Sequence, residues 1–222
     1  MMPGHSTKEG VLIGRLRQWL VLGAVGLGCL LMLPSTVLAY NTFNDYKLLG
    51  GVGNYGANDR YYFICDGASP YASAIHDAID GWVYTTSRLG VTTPISWLQT
   101  SVQTSSVMDL HASGWATRAS GVIGATEFWK DGARMVPRGE APDGNWAWTH
   151  IWINTNVYDT SDMACNGHTA AYNRIGTWSH EMGHAMGLAH VSSTSKVMCQ
   201  LGGGRTVKLA QVDDCNGINH LY

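Results

Sequence analysis

The stretch His180-Glu181-Met182-Gly183-His184-Ala185-Met186-Gly187-Leu188-Ala189-His190 constrains this chain more than any other. His180 and His184 stand four residues apart, so on an α-helix both imidazoles share one face, one turn apart. Two imidazoles converging from one turn chelate Zn²⁺, which takes His nitrogens at about 2.0–2.1 Å. Glu181 sits beside the first imidazole, where a carboxylate can reach a metal-activated water as general base. Gly187 can adopt positive φ, end the helix and turn the chain back. His190 then arrives from outside the helix as a third nitrogen. Three protein ligands and one open position describe a catalytic zinc site, because a structural site fills all four. A helix with three unrelated histidines and a glycine stop is the plain alternative, and it accounts for neither the spacing nor the order.

This spacing resembles the long zinc signature of the metzincin metallopeptidases, His-Glu-x-x-His-x-x-Gly-x-x-His. Shorter similarities extend the resemblance to the matrixin branch over most of residues 61–222. Ala74-Ile75-His76-Asp77-Ala78-Ile79-Asp80-Gly81-Trp82 resembles its first helix, Trp152-Ile153-Asn154-Thr155 the end of its fifth strand, and the run Gln211–Tyr222 its closing helix. The resemblance implies an α+β fold: a metzincin or zincin-like catalytic domain with a twisted, mixed five-stranded sheet packed on two helices plus a C-terminal helix. It implies a zinc endopeptidase acting on protein or peptide substrates. It implies that Met198 forms an apolar methionine turn beneath the three imidazoles. The position two residues on is Gln200, so the tyrosine that astacins and serralysins carry there is missing. Asp213 and Asp214 match a carboxylate pair in the matrixin closing helix, one bracing the methionine turn and the other available to an amino terminus. Capping of the helix by acidic residues is the simpler role for both.

Residues 1–39 have the form of a signal peptide. Lys8, Arg15 and Arg17 make its front basic, Leu20–Leu33 is an uncharged apolar run, and Val37-Leu38-Ala39 offers a cleavage site before Tyr40. The apolar run is shorter than the roughly 20 residues that span a bilayer. The expected product is a secreted, extracellular domain, residues 40–222, without stable membrane association. Residues 40–222 hold 11 Lys+Arg against 15 Asp+Glu, a net charge of −4. With no basic stripe there is no nucleic-acid partner to expect, and a monomer is expected. Cys65, Cys165, Cys199 and Cys215 remain, an even count that points to two disulfides in an exported chain. Three connectivities exist. Cys199–Cys215 closes a short loop and is favoured, leaving Cys65 with Cys165. A second role for Cys65, as a thiolate capping the zinc, is the minority reading.

Strand-forming runs are expected at Tyr61–Cys65, Ile95–Leu98, Ser106–Leu110, Gly121–Trp129 and Ala147–Asn154. Ala74, Ile75, Ala78, Ile79 and Trp82 recur at helical spacing, and further helices are expected at 172–186 and 212–221. Residues 40–58 read as an irregular arm and 131–145 as a loop. In that loop Asp131, Glu140 and Asp143 offer a candidate Ca²⁺ site, a solvated charged loop being the commoner outcome. The structural zinc and calcium motifs of matrixins are not evident, nor is the Pro-Arg-Cys-Gly type of latency motif. By the resemblance, an extended substrate lies along the edge strand near Gly121–Trp129, and the loop Cys199–Leu209 shapes the pocket for the side chain after the cleaved bond. His150 reads as a packed histidine, and His76, His111, His168 and His220 show no ligand spacing. Two other functions compete: a catalytically inactive zinc-containing binding or adhesion module, and a carbohydrate-binding protein lined by the abundant tryptophans.

Overall fold

A computed structural model describes residues 40–222, so the signal segment expected at 1–39 lies outside the described residues. Strand β1 (Arg60–Ile64) alternates an inward Tyr62 with outward neighbours and leads, through a short 3₁₀ segment, into helix α1 (Ala72–Val83). The apolar stripe of α1 is buried as its periodicity requires, with Ile75, Ala78, Ile79 and Trp82 inside. A further helical turn, Thr85–Leu89, ends at Gly90, whose φ of +71° closes it in the left-handed region.

Strands β2 (Trp97–Gln99), β3 (Met108–Ser113), β4 (Gly124–Lys130), β5 (Ala133–Arg134) and β6 (Trp148–Asn154) complete one sheet in the order β2-β1-β3-β6-β4-β5. The first four run parallel, while β4 is antiparallel to both β6 and β5. To the five expected strands the structure adds β5. Asp131 and Gly132 both take positive φ, 51° and 79°, which is the two-residue turn that an Asp-Gly pair favours in a hairpin. The alternation in β6 divides its faces: Thr149, Ile151 and Ile153 are buried against the helices, while Trp148, His150 and Trp152 face outward.

Helix α2 (Ala170–Ala185) starts where the Thr169 hydroxyl accepts from the Tyr172 amide. It packs beside α1 under the sheet, joined by the Trp82 indole, which donates to Ser179 O at 3.0 Å. Met108, Leu110, Ile151, Ile153, Trp178 and Met182 fill the space between. Helix α3 (Val212–Leu221) closes the fold, with Cys215, Ile218 and Leu221 buried. The amino-terminal arm is more fixed than its composition suggests. Asn41–Thr42 pairs antiparallel with Leu188–Ala189, and Leu48 and Val52 are core residues.

The expected disulfides are not formed: Cys65, Cys165, Cys199 and Cys215 are all free thiols. Cys199 Sγ points to Leu201 O at 3.7 Å, whereas Cys215 is buried inside α3 near Arg88. Cys65 Sγ faces His111 at 3.5 Å, and Cys165 Sγ faces Asn173 at 3.4 Å. A short separation in sequence does not by itself bring two thiols within bonding distance.

Candidate active site

Helix α2 presents His180 and His184 on one face, and the chain leaves it through Gly187, whose φ is +112°. A side chain at 187 would also collide with Leu221 Cδ1 at 2.6 Å, so the position needs glycine for both conformation and space. This turn returns His190 to the helix. The Nε2 atoms of His180, His184 and His190 lie 3.1 Å from one another in all three pairings. Two nitrogens on one tetrahedral zinc stand about 3.3 Å apart, given Zn–N of about 2.0–2.1 Å. His180 Nδ1 donates to Val197 O at 2.8 Å and His184 Nδ1 to Leu188 O at 2.7 Å. Those bonds fix the proton on Nδ1 and leave Nε2 lone pairs directed at one point. Burial holds His180 well below its ordinary pKa and His184 down at about 3, and each is lowered further by its neighbouring imidazole. Neutral imidazoles with converging lone pairs repel one another unless a cation sits between them, so this donor set fits zinc. His190 is the exposed member, yet its Nε2 turns inward to the other two.

Met198 is buried below this group. A Cβ at Gly183 would fall well within van der Waals distance of its sulfur, so the methionine lies flush against the helix that carries both histidines. The turn is tied in place from two sides. Val191 N donates to Met198 O at 3.0 Å, and Val197 N donates to the buried Asp214 carboxylate at 3.2 Å. Asp214 also accepts from Gln211 N at 2.8 Å, so it both caps α3 and braces the methionine turn. Asp213 pairs instead with Lys196.

Glu181 is buried one residue past the first histidine, against β4. The Thr126 hydroxyl donates to its Oε2 at 2.9 Å, and Gly124 lets the carboxylate approach so closely that a Cβ there would meet Oε1 at 2.7 Å. Burial pushes the Glu181 carboxyl up to about 7, against the opposing pull of Thr126 and Arg205. A cavity of about 840 Å³ opens in front of Glu181, His180 and His190, between the segment 120–124 and the loop 199–205. The edge of β4 from Gly124 to Glu127 carries no strand partner on its outer side among the described residues, because β5 pairs only with Trp129 and Lys130.

A family model described as Matrixin, of the peptidase M10 group, matches residues 71–222. The chain belongs to the matrixin family. No curated protein matches it. A matrixin is a zinc metallopeptidase, a hydrolase of peptide or protein substrates. The match includes α1, the sheet from β2 to β6, the histidine helix α2 and α3, which is the α+β architecture described above. The candidate calcium ligands of this matrixin do not converge: Asp131, Glu140 and Asp143 are all exposed, and no metal-ligating group includes them among the described residues. Asp131 instead occupies the hairpin turn between β4 and β5. Sequence reasoning missed Thr126, Gly124 and Arg205, which reach the site only through the packing of β4 and of the loop after Met198. It also missed the arm. Asn41 donates to His190 O at 2.7 Å, and the Phe43 ring lies tilted against the His184 ring with centroids 5.5 Å apart.

Proposed function

We propose that this matrixin is a secreted zinc-dependent endopeptidase in which His180, His184 and His190 hold the ion and Glu181 is the general base. The observation that carries the reading is the mutual 3.1 Å approach of three Nε2 atoms beside a buried carboxylate, in the wall of an open cleft. Zinc bound there supplies Lewis acidity, activating a water and polarising the scissile carbonyl. Glu181 takes the proton from the attacking water and delivers it to the leaving amine. A carboxyl raised towards 7 by burial suits both halves of that transfer, accepting and then releasing the proton near neutral pH. Thr126 holds one carboxylate oxygen and leaves the other free for the proton. The open edge of β4 is suited to pairing with an extended peptide, which aligns the scissile bond along the cleft.

Digestion of a proteome-derived peptide library by the purified protein, with and without a zinc chelator, tests the assignment. Chelator-sensitive internal cleavage is expected. Zinc uptake with no cleavage of any peptide would favour an inactive binding module. Glycan retention that survives chelation would favour a carbohydrate-binding role.

A further inference from the structure

We propose, given the peptidase reading on which this rests, that the cleft takes an acidic side chain, Asp or Glu, from the residue after the scissile bond, and that Arg205 selects it. Arg205 is 3% exposed. It lines the main cavity beside His180 and Glu181, and it also lines an inner chamber of about 230 Å³. Ile123 and Thr177 line both spaces as well, so the chamber adjoins the cleft. A volume of that size holds several waters and so admits a side-chain carboxylate.

Every other arginine among the described residues has an acceptor. Arg118 pairs with Asp162, and Arg134 and Arg138 pair with Glu127. Arg60, Arg88 and Arg174 donate to the carbonyls of Leu49, Gly81 and Tyr158. Arg205 has no such acceptor among the described residues, and burial pulls its pKa below the ordinary value. A guanidinium stays protonated even so, and a buried cation without a partner is costly. The two nearby carboxylates are already engaged. Asp162, which also lines the inner chamber, accepts from Arg118 Nε at 2.9 Å, and Glu181 accepts from Thr126 at 2.9 Å. The chamber therefore offers a fixed positive charge and a fork of unfilled donors. The ligand that matches such a fork is a carboxylate, which takes two parallel N–H···O bonds from it.

The fold holds this charge in place by shape. A Cβ at Gly176 would meet Arg205 Nη2 at 2.6 Å and its Cζ and Nε at 3.1 Å, so the guanidinium lies on the backbone of α2, one turn before His180. Glycine inside a helix is destabilising, and here it leaves the room that the guanidinium needs. The next residue in the loop is anchored twice: Thr206 N donates to Thr194 O at 2.8 Å, and the Tyr172 hydroxyl donates to Thr206 O at 3.0 Å. Glu181, as the group that protonates the leaving amine, must stand beneath the residue that carries that nitrogen. Arg205 lies in the same cavity wall as Glu181, within reach of that residue's side chain.

Peptides blocked at both ends and differing only at that residue test the assignment, since blocking removes the terminal carboxylate that could fill the chamber instead. Wild-type kcat/KM for Glu over Gln is expected to exceed about tenfold, the worth of hydrogen bonds to a charged group. Arg205→Gln should bring the ratio to about one, and Arg205→Lys should keep part of it. A smaller wild-type ratio overturns the inference, as does cleavage confined to peptides with a free carboxylate one residue past the bond. A ratio that survives Arg205→Gln removes Arg205 as its cause. If the Arg205 variants do not fold, the wild-type ratio still decides the acidic preference. Calorimetric titration of the zinc-loaded Glu181→Gln protein with the same peptides reads the preference without turnover. Equal affinity for the Glu and Gln peptides would sink the acidic pocket, whereas wild-type protein that cleaves no peptide would sink the peptidase assignment.

Discussion

Replacing Gly183 by alanine probes the contact between the histidine helix and its methionine floor. Position 183 lies between the two helical histidines, facing Met198. A Cβ there would overlap the Met198 sulfur and stand 3.3 Å from Trp82 Cζ2, both side chains being 1% exposed. Overpacking of this kind costs about 1–3 kcal/mol. Alanine inside a helix returns about 0.5–1 kcal/mol relative to glycine. The net expectation is a loss of about 1–2 kcal/mol, or a melting temperature lower by about 3–6 °C for a domain of this size. Thermal unfolding of the metal-free protein measures the packing effect without ligand linkage. Adding Met198→Ala removes the obstructing atoms, so the double variant should be more stable than the two separate losses predict, by about 1 kcal/mol or more. A Gly183→Ala protein that melts at or above the wild type would mean that helix propensity decides the outcome and that Met198 does not press on the helix.

Glu181→Gln should lower kcat/KM by about 10²–10⁴-fold while zinc uptake at the three histidines persists, checked by metal content beside peptide turnover. Thr126→Val removes the hydroxyl that holds Glu181 Oε2 and should cost about 2–10-fold in kcat with little change in KM, measured on one peptide. Asp214→Ala leaves the Val197 and Gln211 amides without their acceptor, and should cost about 1.5–3 kcal/mol in denaturant unfolding. Saturation of the histidine site with zinc at about 1,000 times its Kd should raise stability by about 4 kcal/mol, read as a melting shift that a chelator reverses.

The histidine triad was legible because one helical turn and one glycine exit are local events. The spacing of His180 and His184 sets their common face, and Gly187 is the residue able to take φ of +112°. The stripe of α1 was legible for the same reason, since burial of one face has a fixed period. The cysteines were not. Their number gave no information about direction, and the fold sends Cys199 and Cys215 to different surroundings. Asp109 and His150 are 41 residues apart, and only the parallel register of β3 and β6 sets them side by side. Thr126 and Arg205 belong to the same class, reaching Glu181 through packing of distant segments. Sequence alone determined which residues could gather at the cleft and how one turn would arrange them. Tertiary structure decided what faces them, because strand register and loop return are set by the whole core, not by any neighbouring pair of residues.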